Sequence, residues 1–258
     1  MDIEQIYNTY LKQQESLKER DKNVFHASSA GSCLRKQMYS YYDYPTDEKD
    51  GGSYRILRLG TIVHSDVEKA LSSYQDTLSG MQSKDAPITK SIHIEEKIKL
   101  EQLEVSGTFD AGEMITDKIN DTEEFNLYDL KTAAAYKWTT KFGRKQNRVA
   151  NSDLNYKLQL GTYALGVRHK YSPDRINMYL LWYNKNTSQM REQLVSPEWI
   201  DKALEYWIEI HEMKEDMGKS FEDELVPQVS YGVPMRDWEC RYCQFYSICP
   251  STLADKKR

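Results

Sequence analysis

The alternation of apolar and polar residues divides the chain into a helical beginning, a strand-rich middle and a mixed end. Over residues 2–20, apolar side chains recur at helical spacing, which predicts an amphipathic helix. A small polar segment, HASSAGSC, separates it from a second helical stretch, LRKQMYSYYDY. After the loop TDEKDGGS we expect a long helix from residue 54 to about residue 78. Its apolar face is formed by Ile56, Leu59, Val63, Val67, Ala70 and Leu71.

Beyond Pro87 the apolar residues recur every second position, which is typical of strands. SIHIEEKIKL, LEVSGTFDAGEMI and EFNLYDLKTA predict three consecutive strands joined by short polar turns, such as the one at 118–121. A helix is expected over 153–170, followed by the strand INMYLLWYNK and its partner MREQLVS. Ser196 and Pro197 suit the N-cap and first position of a final helix. This order predicts an α/β fold with a mixed central sheet flanked by helices.

Composition places the chain among globular proteins of one domain. It has 258 residues, of which 39% are hydrophobic and 29% charged, so one substantial core is expected. That domain would comprise an N-terminal helical part (1–53), a core (54–195) and a C-terminal part with a helix and cysteines (196–258). No apolar run is long enough for a membrane span, and the N-terminus is too polar for a secretory signal. A cytoplasmic location, with reduced thiols, is therefore expected.

The strand NLYDLKTA carries Asp129 and Lys131, two residues apart and hence on one face. Such a triplet is common by chance and usually marks a solvated strand edge. Asp110, in SGTFDAGEM on the preceding strand, would lie close to Asp129 in an antiparallel pair. Two neighbouring carboxylates repel each other unless a cation lies between them, although Asp110 alone also suits a turn aspartate that caps backbone amides.

Three further polar residues lie on helices around this strand. His64 is in the long helix before the strands, and an imidazole ligand beside carboxylates favours Mn²⁺ over Mg²⁺. A lone helix histidine, however, is more often a hydrogen-bonded structural residue. Gln159 and Tyr163 are one helical turn apart and share a face. They suit contact with a phosphate or a base, or a hydrogen-bonding stripe at the edge of the core.

The segments GTIVHSDVEKAL, SGTFDAGEM, YDLKTA and QLGTY, in this order, resemble the RecB-type branch of the PD-(D/E)XK nuclease superfamily. The resemblance implies a restriction-endonuclease-like core and a Mg²⁺- or Mn²⁺-dependent deoxyribonuclease. It also implies that Lys131 positions the attacking water, and that Asp110, Asp129, Gln159 and Tyr163 complete the catalytic set. The implied metal ligands are His64, Asp110, Asp129 and the backbone carbonyl of Leu130.

The four cysteines indicate a second site. Cys240, Cys243 and Cys249 follow a C-x2-C-x5-C pattern, whereas Cys33 lies near the other end. Structural zinc more often uses two C-x-x-C pairs, so an iron–sulfur cluster is the better match, with zinc or unrelated free thiols as alternatives. The arrangement resembles RecB-type nucleases with a [4Fe–4S] cluster, among them the CRISPR-associated Cas-four exonucleases and the nuclease domains of AddB-like proteins. The resemblance implies a structural cluster that ties the first helical part to the C-terminal segment.

Residues 131–152 contain no acidic side chain and interleave basic with aromatic residues. The net charge of −5 argues against a chain that coats nucleic acid by bulk charge, but it allows a local basic groove. Cations for phosphates and rings for bases are what single-strand binding requires. A random basic run is more often a solvated loop, but the position of this one between the strand with Asp129 and the helix with Gln159 favours DNA binding. The candidate DNA contacts are Lys137, Lys141, Arg144, Lys145 and Arg148, with Arg35 and Lys36 as further candidates.

From these patterns we expect a metal-dependent exonuclease acting on single-stranded DNA ends. It would serve DNA recombination or repair, replication or CRISPR adaptation, with protein partners from such a complex and no membrane contact. A non-catalytic DNA-end-binding adaptor is the alternative, and metal-dependent cleavage distinguishes the two.

Overall fold

The computed structural model describes residues 1–17, 21–83, 85–150, 152–221, 239–240 and 242–249. Its helices are α1 Ile3–Ser16, α2 Leu34–Tyr41, α3 Gly51–Met81, α4 Ala135–Phe142, α5 Leu154–Tyr171 and α6 Glu198–Met217. Its strands are β1 Phe25–His26, β2 Ile88–Leu100, β3 Val105–Asp117, β4 Thr122–Ala133, β5 Arg175–Asn184 and β6 Met190–Val195. Across these ranges, none of the helices combines the length and the apolar character that a bilayer crossing requires.

The described strands form one mixed six-stranded sheet. Strands β2, β3 and β4 run as an antiparallel meander, and β1 adds a short parallel pairing to the start of β3. Strand β5 pairs parallel to β4 from Glu124↔Arg175 to Ala133↔Asn184, after the crossover through α4 and α5. Strand β6 closes the edge antiparallel to β5. The expectation of an α/β fold with a mixed sheet flanked by helices is confirmed.

Helix α5 lies in the centre of the core. Its residues from Leu158 to Val167 are all buried, because the helix packs against the sheet on one side and against α6 on the other. A helix covered on both sides is apolar around most of its circumference. One polar contact fixes its position, since the Trp207 indole N–H donates to the Thr162 hydroxyl at 2.7 Å. This burial holds Gln159 and Tyr163 beneath β4.

The apolar stripe of α3 does not lie in the core, contrary to what its periodicity suggests. None of its residues is buried, and Ile56 and Leu59 keep 61% and 54% of their surface exposed. The helix also starts earlier than expected, at Gly51, because the Asp50 carboxylate accepts a hydrogen bond from the Ser53 N–H at 2.6 Å. The helix lies across the edge of β2, β3 and β4, from which it reaches the site described below.

Two local expectations are corrected. Part of the basic segment is helical: α4 forms because Trp138 is buried and the centre of its ring lies 4.8 Å from that of Phe142. At the start of α6, Pro197 occupies the N-cap position and no side chain caps the helix. The backbone carbonyl of Ser196, rather than its hydroxyl, accepts a hydrogen bond from the Trp199 N–H at 3.2 Å.

Candidate active site

Asp110 lies where β3 and β4 separate. The two strands pair from Asp117↔Thr122 to Ala111↔Tyr128, and Asp110 is the next residue of β3. Its Oδ2 accepts a hydrogen bond from the Leu130 N–H at 2.5 Å. Beyond the last β3–β4 pair, the carboxylate of Asp110 thus takes the place of a backbone carbonyl as the acceptor of an inter-strand hydrogen bond. The structure thereby brings Asp110 next to the strand that carries Asp129 and Lys131.

Lys131 is held between two oxygens. Its Nζ lies 2.7 Å from Asp129 Oδ2 and donates to Gln159 Oε1 at 2.8 Å. Gln159 in turn donates from Nε2 to the Tyr163 hydroxyl at 2.7 Å. Asp129 is only 2% exposed, so the pair is shielded from water on the side of α5. The four residues form one chain of contacts from β4 into the buried face of α5.

His64 reaches the same place from α3. Its Nδ1 lies 3.0 Å from Asp110 Oδ1, so the two oxygens of Asp110 face different partners. His64 and Asp110 belong to a set with a third member, Glu95, in which all the ligand atoms lie within 4.8 Å of one another.

Glu95 was not predicted from the sequence. It is on β2, between the pairs Ile94↔Ala111 and Glu96↔Phe109, and has a left-handed φ of +48°. The segment IHIEEKIK alternates like an ordinary strand, so nothing in it indicates that one residue leaves the regular conformation. The two adjacent glutamates are the only signal that sequence reasoning had available.

Burial or contacts with neighbouring groups raise the pKa values of three ionisable groups in and beside the cluster. The hydrogen bond with Asp110 raises the pKa of His64 against the opposing effect of burial. Burial, followed by the charges of Asp110 and Glu68, raises the pKa of Glu95 to about 7. Burial also raises the pKa of Asp129, although Lys131 opposes the shift. A divalent cation in the cluster would supply the missing positive charge.

The residues present fit such a cation. One imidazole nitrogen and several carboxylate oxygens are the ligands that suit Mn²⁺ or Mg²⁺. Among the described residues, the set within 4.8 Å contains His64, Glu95 and Asp110 but not Asp129, whose Oδ2 is turned toward Lys131. The structure therefore places Asp129 beside the cluster, on the Leu130 side of Asp110.

The five predicted DNA-contacting residues divide into two groups. Lys137 donates to the Ser152 carbonyl, and Lys141 is paired with Asp153, so both ammonium groups have partners within the protein. The remaining three, Arg144, Lys145 and Arg148, are exposed. The segment adjoins the active site, because Lys131 and Lys137 both lie about 5 Å from the ring centre of Tyr156. DNA contact by these residues stays a prediction.

The cysteines come from both ends of the described chain. Cys33 occupies the N-cap of α2. Burial raises the pKa of the Cys243 thiol, and the neighbouring charges of Cys33 and Cys249 add to that shift. Arg35 is buried and donates to Cys249 Sγ at 3.5 Å, so it faces the cysteines rather than an open DNA path. Among the described residues, the sets of three or more ligand atoms that lie within 4.8 Å of one another include no cysteine thiol, so a metal group bound by the four cysteines stays a prediction.

Backbone contacts hold the cysteine segment in place. The Asp47 N–H donates to the Gln244 carbonyl at 2.6 Å, and the Asp47 carboxylate accepts from the Ser247 N–H at 3.0 Å. The ring of Phe245 packs 5.2 Å from that of Tyr39 in α2.

Comparison with known proteins identifies the family. The crystal structure of SSO0001 is 16% identical, with a TM-score of 0.49, over 97% of this chain and 96% of that chain. A structure described as “Putative exonuclease” from Eubacterium rectale is 14% identical, with a TM-score of 0.44, over 85% of this chain and 93% of that one. No curated protein matches the sequence significantly. The sequence model of the PD-(D/E)XK nuclease superfamily matches residues 63–250, a span that includes every predicted catalytic residue. The chain therefore belongs to the PD-(D/E)XK nuclease superfamily.

Proposed function

We propose that this protein is a divalent-metal-dependent deoxyribonuclease that hydrolyses DNA from single-stranded ends. The observation that carries the proposal is the lysine between two oxygens beside a carboxylate cluster. Lys131 is fixed by Asp129 and Gln159, next to the Asp110 carboxylate that anchors Leu130. A DNA-binding adaptor has no use for a partly buried, oriented ammonium group beside a set of metal ligands.

Different residues of the chain have different roles in the proposed reaction. His64, Asp110, Asp129 and the Leu130 carbonyl would hold Mn²⁺ or Mg²⁺, which supplies Lewis-acid stabilisation of the phosphodiester and eases deprotonation of water. The positive charge of Lys131 stabilises the negative charge that develops on the phosphate in the transition state. Gln159 orients that ammonium through its Oε1, and Tyr163 fixes the amide of Gln159 through its hydroxyl.

For the DNA strand, we propose the exposed end of the basic segment. Arg144, Lys145 and Arg148 are exposed, and Tyr136 nearby keeps 76% of its surface exposed. Cations would contact the phosphates and the ring would stack on a base. Lys137 and Lys141 would take part only by exchanging their present partners, Ser152 and Asp153.

The cysteines support a [4Fe–4S] cluster bound by Cys33, Cys240, Cys243 and Cys249. In this role the cluster would fasten the N-terminal part (1–53) to the C-terminal part (196–258), where Asp47 already contacts Ser247. The three parts would then act as one nuclease domain. We place the activity in the cytoplasm, in DNA recombination, repair, replication or CRISPR adaptation, beside protein partners; the resemblance of the motifs supports this assignment.

The proposal is tested with four DNA forms in the presence of Mn²⁺. Linear single strands labelled at the 5′ or the 3′ end are compared with circular single strands and blunt duplexes. Release of short products from linear single strands, with circles intact and duplexes cut far more slowly, is the expected result. Equal cleavage of circles would show an endonuclease instead, and binding without any cleavage would favour the adaptor.

A further inference from the structure

We propose that Glu95 is an additional ligand of the divalent cation, acting with His64 and Asp110. The inference rests on the proposed metal-dependent nuclease and adds a residue to its centre. Ligand atoms of the three side chains lie within 4.8 Å of one another, the separation that a shared ion spans. Since Asp129 is not part of that set, Glu95 is the carboxylate that the structure groups most closely with His64 and Asp110.

The position of Glu95 in the sheet explains its direction. Strands β2 and β3 are in register on both sides of it, so Glu95 lies opposite Asp110. At φ +48° it departs from the regular strand, a conformation that non-glycine residues seldom adopt. Carboxylate oxygens of Glu95 and Asp110 lie within 4.8 Å of each other, so the two acidic groups are close neighbours. An isolated protein gains little from bringing two carboxyl groups together, whereas a bound cation makes the contact favourable.

Glu95 would complete the His64 side of the centre. His64 lies beside Asp110 Oδ1, whereas Leu130 and the strand with Asp129 lie on the Oδ2 side. Without Glu95, the His64 side would offer one nitrogen and one oxygen. A second carboxylate there adds a hard oxygen donor, which raises affinity for Mn²⁺ and Mg²⁺.

A nearby glutamate provides the control for charge alone. Glu68 lies one helical turn after His64 on α3, and its charge acts on Glu95. It lines the same small cavity but does not belong to the set of close ligand atoms. Removal of its charge therefore changes the local potential without removing a ligand. Glu101, exposed in the turn after β2, controls for charge at a distance.

The test measures binding of Mn²⁺ to chelator-treated protein by isothermal titration calorimetry, with the electron paramagnetic resonance signal of free Mn²⁺ as a second readout. The variants are Glu95→Gln and Glu95→Asn, with Glu68→Gln and Glu101→Gln as controls. Asparagine tolerates a left-handed φ well, so Glu95→Asn protects the test against a folding defect. Unfolding temperatures in EDTA verify the fold of each variant.

We expect both Glu95 variants to weaken Mn²⁺ binding about tenfold or more, the scale at which residues around metal sites affect affinity. The controls should weaken it less than about fivefold, as expected of a solvated charge. Glu95 variants that bind as tightly as wild type, or a Glu68→Gln variant that loses as much affinity, would overturn the assignment of Glu95 alone. A wild-type protein that binds no Mn²⁺ would overturn the proposed function together with it.

Discussion

At the scale of single residues, the decisive feature is how Lys131 is held. A free lysine side chain has four rotatable bonds, and a catalytic one must be fixed before the substrate arrives. Asp129 supplies charge and Gln159 supplies direction, since the ammonium donates to Oε1 at 2.8 Å. Preorganisation of this kind is what makes a positive charge effective in a transition state.

The first prediction concerns this orientation. Gln159→Leu keeps the volume of the side chain but removes the acceptor, so Lys131 is no longer fixed from the side of α5. We expect kcat to fall by about one to two orders of magnitude, with little change in KM for DNA. Tyr163→Phe removes only the hydroxyl behind Gln159 and should cost less. Steady-state kinetics on labelled single strands measures both variants. A larger fall in kcat for Tyr163→Phe than for Gln159→Leu would contradict the proposal that Tyr163 acts on Lys131 only through Gln159.

The sequence indicated the residues on regular elements better than those on irregular ones. Strand periodicity places Asp129 and Lys131 on one face, and helical spacing does the same for Gln159 and Tyr163, but only the resemblance of the motifs to a nuclease family marked these residues and Asp110 as one site. Glu95 was not predicted, because its direction depends on a single left-handed residue within a strand. Neither was the pairing of Lys141 with Asp153, which requires knowledge of how α4 and α5 pack.

At the scale of elements, the contact between α5 and α6 has almost no spare room. A methyl group on Gly161 would lie 2.1 Å from the Trp199 carbonyl oxygen, whereas one on Gly80, in α3, would meet nothing within 4 Å. Both glycines are within helices, where alanine is intrinsically favoured. The two positions therefore separate helix propensity from packing.

The second prediction uses this pair. Gly161→Ala should lower the free energy of unfolding by about 1–3 kcal/mol, because backbone would have to move to accept the methyl group. Gly80→Ala should raise it by about 0.5–1 kcal/mol, because only the gain in helix propensity remains. Urea unfolding followed by circular dichroism measures both. If the two substitutions changed the free energy of unfolding equally and in the same direction, α5 and α6 would not approach each other this closely.

Asp153 joins three elements through one carboxylate. It is 3% exposed, it is paired with Lys141 of α4, and it accepts from Gln193 of β6 at 3.0 Å. Lys157 of α5 lies 3.5 Å away. Burial alone would raise the pKa of Asp153, but the hydrogen bonds from Lys141 and Gln193 and the lysine charges outweigh it and hold the pKa below its usual value.

The third prediction follows from the lowered pKa of Asp153. Asp153→Asn should cost about 3 kcal/mol of unfolding free energy at pH 7, because it leaves the partly buried ammonium groups of Lys141 and Lys157 without their charged partner. This loss of stability is fully present above the ordinary aspartate pKa of about 4, which applies in the unfolded chain. It disappears as the pH falls through the lower pKa of Asp153 in the folded protein, because both proteins then have a neutral group at this position. Denaturant unfolding across pH 3–7 measures it. Glu198→Gln, which breaks the surface pair with Lys202, should change stability by at most about 1 kcal/mol. A cost for Asp153→Asn that persists unchanged at pH 3 would exclude a charge-based origin.

Helices α4 and α3 show why local sequence patterns were insufficient to predict every helix and its burial. The sequence of α4, AYKWTTKF, is short and rich in β-branched and aromatic residues, so propensity alone does not predict a helix. It is helical because Phe142 and Trp138 pack together and Phe142 also meets Trp182 of β5. Conversely, α3 has a clear apolar stripe that its neighbours leave mostly exposed. Tertiary contacts decided both cases.

At the scale of the whole molecule, contacts around the cysteines join distant parts of the chain, such as those of Asp47 with Ser247 and of Tyr39 with Phe245. The α/β fold with a mixed sheet was predictable from the sequence of strand and helix patterns, whereas the pairing of β1 with β3 and of β4 with β5 was not. The contact of α2 with the C-terminal segment was predictable only through the cysteines, since Cys33 and Cys249 are far apart in sequence. A metal group bound by both ends contributes its binding energy to folding.

The fourth prediction tests that role. Cys33→Ser in protein purified without oxygen should abolish the visible absorption that marks an iron–sulfur cluster. It should also lower the iron content, the solubility and the unfolding temperature, because the connection between the two ends is lost. Metal analysis and absorption spectra of both proteins measure this. A colourless wild-type protein that contains zinc would refute the cluster while leaving the structural role of the thiols.

The most direct test of the nuclease itself is single-strand cleavage by Asp129→Asn with Mn²⁺. The change removes a charge that burial disfavours, since burial raises the pKa of Asp129, and the asparagine amide oxygen can still accept from Lys131, so the unfolding temperature should be maintained. Asp201→Asn, on the exposed face of α6, is the matched control. We predict that Asp129→Asn loses cleavage on the order of 10³-fold while Asp201→Asn retains the wild-type rate. If Asp129→Asn digests labelled single strands as fast as the wild-type protein, the assigned active site is wrong.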